Sequence, residues 1–83
     1  MVMQAARIPQ DVAEALAAVR DRGPSPHARE SARTLRQAYA VGGMRSLRLQ
    51  ILDVRRSLRQ WESDQAKSIR QTLDSYLWQW GLK

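Results

Sequence analysis

From Met44 to Trp80 the chain runs for about 37 residues without glycine or proline, and its apolar residues recur at helical spacing. Leu47, Ile51, Val54, Leu58 and Trp61 step by 4, 3, 4 and 3, as a stripe packed against another helix does. After Trp61 the rhythm slips. The next seam positions are Gln65 and Ser68, and strong apolar residues return only at Ile69, Leu73, Tyr76 and Trp80. Ser63-Asp64 in the same place has the chemistry to cap a separate helix. The pattern predicts a helix over 44–80, either continuous or broken near 62–65. Leu49, Leu52 and Leu77 fall off the main stripe, which predicts contacts on more than one side of it.

Two shorter helices precede it. Pro9 suits a first helical turn, Asp11 complements the dipole there, and Gly23-Pro24 stops the run, so a helix is predicted over 9–22. Its buried stripe is Val12, Leu16 and Val19 with Ala13 beside them, while Ala15, Ala17 and Ala18 permit close approach of a neighbour. Ser25 as cap and Pro26 at the first position begin a second helix over 26–40, with Ala28, Ala32, Leu35 and Tyr39 on one side and Arg29, Arg33 and Arg36 on another. Gly42-Gly43 ends it in a left-handed cap. Residues 1–8 show no periodicity and read as a loose arm.

Short joints place consecutive helices antiparallel. The expected fold is all-α, a three-helix antiparallel arrangement with two short helices packed on one long C-terminal helix, and residues 1–83 form a single small domain. A continuous 44–80 helix would be about 55 Å long, whereas a compact chain of this size has a radius of gyration near ~12 Å. The helix must break, project or be covered by a second chain, and a homo-oligomer, most simply a dimer, is the expectation.

Composition narrows the chemistry. The apolar 43% is mostly Ala and Leu with no Phe, which suits helix packing better than a sheet. With no cysteine and a single histidine, disulfides, thiolate chemistry and ordinary zinc sites are excluded, and neither a metal nor a cofactor is expected. Met1 to Arg7 lacks the apolar run of a signal peptide, and no segment approaches the ~20 apolar residues of a membrane span. A soluble, cytoplasmic protein with no membrane partner is expected.

Charge adds the strongest functional signal. The formal charge is +6 and the sequence pI about 11.1, a balance that favours polyanions. On a helical wheel with Leu47 at zero, Arg45, Arg48, Arg55, Arg56, Arg59 and Arg70 fall between about 80° and 180°, with Lys67 at the margin. These seven residues are the candidate nucleic-acid-binding set, able to track phosphates and release counterions. The competing reading is an ordinary solvated face, partly neutralised by Asp53, Asp64 and Asp74.

Trp78 and Trp80 flank Gln79, so in a helix they point about 200° apart and cannot share one narrow stripe. Trp61, Leu77, Trp78, Trp80 and Leu82 form the candidate partner-binding set, since aromatic residues dominate interface hot spots. His27 stands alone after Pro26, and no Ser-His-Asp spacing, phosphate-cradling loop or paired carboxylate converges on it, so catalysis is not expected. The functional expectation is a small basic helical nucleic-acid-binding accessory or regulatory protein, using the Arg stripe of its long helix. The alternative is a protein-interaction module, an adaptor, inhibitor or self-assembling helical oligomer, docking an acidic partner through the long helix and its Trp-containing end.

Overall fold

A computed structural model describes residues 8–82. These residues contain four helices and no strand: α1 (Gln10–Arg22), α2 (Pro26–Arg33), α3 (Leu35–Ser57) and α4 (Asp64–Gln79). The all-helical class agrees with the expectation, whereas the three-helix arrangement with one long C-terminal helix does not. The loose arm assigned to 1–8 lies outside the described residues except for Ile8, which is partly buried against the core.

Local chemistry sets the early boundaries. The Pro9 carbonyl accepts the Ala13 N–H at 3.0 Å to start α1, and the Gly23 N–H returns to the Val19 carbonyl at 2.8 Å to end it. Ser25 Oγ accepts the Ala28 N–H at 3.1 Å, and Pro26 takes the first turn of α2. The predicted 26–40 helix is interrupted at Thr34 (φ −97°, ψ 16°), whose hydroxyl bonds back to the Glu30 carbonyl at 3.0 Å. Within α3, Gly43 adopts φ 71°, ψ −159°, a region essentially reserved for glycine, and this residue kinks the chain where the glycine pair predicted a joint.

The run after Met44 is not one helix. It stops at Ser57, passes through three-residue turns in which Leu58, Arg59 and Trp61 N–H groups bond to the carbonyls of Arg55, Arg56 and Leu58, and restarts at Asp64. Ser63 caps the restart, its Oγ accepting the Ala66 N–H at 3.0 Å. The physical reason is register. A straight helix would aim Gln65 and Ser68 at the core; after the break both are exposed, and Ala66, Ile69, Leu73, Tyr76 and Leu77 turn inward instead. Leu58, fully buried, anchors the turn.

The break also removes the length problem. α4 folds back along α3, and the helices close a ring in which α1 touches α2, α2 touches α3, α3 touches α4 and α4 returns to α1. The radius of gyration is 12.0 Å and the longest dimension 37 Å, shorter than the ~55 Å of an unbroken 44–80 helix. Excess helix length therefore no longer argues for a second chain. The core joins Val12, Leu16 and Val19 of α1 to Ala28, Ala32 and Leu35, to Leu47, Ile51 and Val54, and to Ile69, Leu73 and Leu77. Ala13, expected beside the α1 stripe, is exposed, and Ala15 takes the buried position. Among the described residues no helix is long and apolar enough to cross a membrane.

Candidate polyanion-binding face

Three cross-links fix how α4 lies on α3. Arg48 stacks on the Trp80 ring, its guanidinium carbon 3.5 Å from the ring centroid. Arg55 grips Asp74 in a fork, Nε to Oδ1 at 2.6 Å and Nη2 to Oδ2 at 3.2 Å. Arg70 Nη1 donates to the Leu58 carbonyl at 3.2 Å and to the Trp61 carbonyl. Positions rise along α3 as they fall along α4, so the hairpin is antiparallel and the three arginines mark its seam.

This geometry rearranges the predicted stripe. Arg55 and Arg56 from the end of α3 and Arg59 from the turn after it meet Arg70 and Asp74 of α4 around a concavity of about 300 Å³ that Leu52 also lines. Arg45 and Arg48 line a separate depression of about 360 Å³ with Leu49, Trp80 and Leu82. Lys67 is exposed on α4 and lines neither. A wheel that assumed one straight helix put seven cations on one stripe; the folded-back hairpin makes two adjoining clusters.

The cations differ in freedom. Arg56 and Arg59 are exposed and make no side-chain hydrogen bond or ion pair within the described residues. Arg55 is occupied by Asp74. Arg70 spends one amino group on the carbonyl of Leu58, the C-cap of α3, and on that of Trp61 in the turn that follows, which sets a cation near the negative end of the helix dipole. Arg48 keeps its Nε buried and without a hydrogen-bond partner beneath the indole.

The apolar candidates divide as well. Leu77 is 1% exposed and belongs to the core, so it is not available to a partner. Trp61 and Leu82 are partly buried against that core. Trp78 and Trp80 are 69% and 51% exposed, and Leu49 is exposed near Trp80. The end of α4 is held rigidly: Gly81 (φ 74°) lets the Leu82 N–H reach the Leu77 carbonyl at 2.9 Å and its own N–H reach Trp78 at 3.1 Å, the double bond pattern of a Schellman cap.

Two features went unread in the sequence. His27 Nε2 lies 3.1 Å from Asp53 Oδ2, to which Ser31 Oγ also donates at 3.0 Å, tying α2 to α3. Gln50 Nε2 bonds to the Ser31 carbonyl and to Thr34 Oγ1 beside it. The second feature is the Arg48–Trp80 stack itself, which depends on the direction in which α4 folds back on α3. No group of three or more His, Asp or Glu side chains among the described residues is arranged to hold a metal ion. Comparison with protein-family models, with curated protein sequences and with solved structures gave no match to the chain.

Proposed function

We propose that this chain is a small basic nucleic-acid-binding accessory or regulatory protein that contacts the phosphate backbone from its α3–α4 face. The observation that carries this reading is the concavity in which four guanidinium groups surround a single carboxylate, with Arg56 and Arg59 exposed at its rim. Guanidinium forks match phosphate oxygens, and clustered cations gain from counterion release. Such contacts position a backbone without reading sequence, so binding is expected to be largely sequence-nonspecific.

The test is a gel shift of single- and double-stranded DNA at about 50 mM salt, with the double variant R56E/R59E beside the wild type. Arg55 is left in place because a glutamate there would set a second carboxylate against Asp74 across the hairpin seam. Wild-type binding that the double variant loses, at unchanged helical content, supports the proposal; no shift by the wild-type protein ends it.

One observation favours a second reading, a protein-interaction module. Trp78 and Trp80 expose more than half of their surface at one end of the molecule, where hot-spot residues of an interface would lie. In that reading the Arg clusters speed and orient docking on an acidic surface. Light scattering and pull-down at low salt separate it from the first: a stoichiometric protein partner or a dimer that resists nuclease treatment favours docking.

A further inference from the structure

Resting on the phosphate-binding reading, we infer that the Trp80 ring is a stacking platform for an unpaired nucleobase, so that the nucleic acid held on this face is single-stranded. The Arg48 guanidinium lies 3.5 Å from the indole centroid, yet Trp80 as a residue remains 51% exposed. The depression that Trp80 helps to line is completed by Arg45, Arg48, Leu49 and Leu82 and by no carboxylate. An aromatic plane backed by a cation and flanked by a free arginine takes a flat, anionic ligand, and a nucleotide has both properties.

Placement supports the same conclusion. Arg48 and Arg56 are eight residues apart on α3, a rise of about 12 Å, which spans three to four nucleotides stacked at roughly 3.4 Å each. A strand whose base rests on Trp80 therefore carries its backbone to the Arg56–Arg59 concavity. A duplex cannot do this without opening, because its base faces are already stacked. The backbone that carries the platform is hydrogen-bonded in place, the Trp80 backbone N–H to the Leu77 carbonyl at 3.1 Å, and the chain beyond it is closed by the Gly81 cap.

The experiment is fluorescence anisotropy with a labelled oligodeoxythymidine and with a duplex, on wild type, W80A, W80F, W78A and R56E/R59E. Expected are tighter binding of the single strand than of the duplex, a loss of about 5- to 150-fold on the single strand for W80A, near-wild-type binding for W80F, and little change for W78A. R56E/R59E should lose both ligands. W80F keeps an aromatic face for stacking, and duplex binding and helical content unchanged in W80A guard against a loss caused by unfolding of the α4 end. W80A binding the single strand as tightly as wild type, or a preference for duplex, overturns the inference while leaving phosphate binding intact; a wild-type protein that binds neither ligand overturns both.

Discussion

Arg55 of α3 holds Asp74 of α4 through both of its fork nitrogens, at 2.6 and 3.2 Å, so the carboxylate inside the Arg concavity doubles as a strut between the helices. The two side chains are 27% and 46% exposed, which keeps the contribution of the pair near ~1 kcal/mol. Asp74 also competes with any anion for Arg55. The variant D74N should therefore bind single-stranded DNA more tightly than wild type, with a salt slope steeper by about 0.7 for one added phosphate contact, while its stability falls slightly. Unchanged affinity in D74N would mean that Arg55 takes no part in binding.

Gly43 tests the kink. At φ 71° and ψ −159° a side chain is strained whatever the space around it, and a Cβ there meets nothing within 4 Å, so the cost is purely conformational. G43A should lose about 1–3 kcal/mol, which lowers the melting temperature by several degrees in a domain of this size. Gly23 fails differently. Its backbone is ordinary, but an added Cβ would lie 2.6 Å from the Val19 carbonyl oxygen, so G23A should destabilise by steric conflict at the end of α1. Urea unfolding of both variants checks this, and a neutral G43A would place the bend elsewhere.

Ser63 separates a broken helix from a continuous one with a sign. As the cap of α4, its replacement by alanine should cost about 1 kcal/mol. In the middle of an unbroken helix the same change would be neutral or stabilising, because alanine is the better helix former. Thermal unfolding of S63A followed by circular dichroism gives the answer. R70A should be more damaging than R56A in the same assay, since only Arg70 holds the Leu58 and Trp61 carbonyls at the turn.

What could be read from the sequence was what depends on neighbours in the chain. Ser25-Pro26 and Gly23-Pro24 mark their helix ends by chemistry acting over three or four residues, and the Leu47–Leu58 stripe is buried as its spacing requires. The break at 58–63 was half legible. The slip after Trp61 and the Ser63-Asp64 pair signalled it, but with no glycine or proline the deciding factor is tertiary: α4 gains a complete apolar face by resetting its phase against α1 and α3. Trp80 shows the limit. Its spacing from Tyr76 placed it on the buried stripe, whereas the cap geometry carries it past the core onto Arg48, and Leu77 fills the interior instead. The seven cations were named from the sequence, but the division of the arginines between two depressions, with Lys67 lining neither, follows only from the fold-back.

Asp21 supplies a pH marker far from the proposed face. A hydrogen bond from Arg20, reinforced by its charge, holds the Asp21 carboxyl below its ordinary value and raises the guanidinium in turn. Because the folded value is the lower one, the pair contributes stability above the unfolded carboxylate pKa, near ~3.9, and loses it as pH falls through the depressed folded value. Both side chains are solvent-exposed, so the effect on unfolding is small. A carbon-detected NMR titration should give Asp21 a midpoint below ~3.9 that returns towards the ordinary value in R20Q; an ordinary midpoint in the wild type would mean that the pair does not persist in solution.

Salt dependence of binding tests the central claim most directly. If Arg56, Arg59 and Arg45 with part of Arg70 engage three to four phosphates of a single strand, a plot of log affinity against log salt should fall with a slope of about −2 to −3. R56E/R59E should flatten that slope by at least the ~1.4 that two lost contacts remove. Affinity that is independent of salt, or a slope that the double variant leaves unchanged, would contradict the assignment of the α3–α4 face as a phosphate-binding surface.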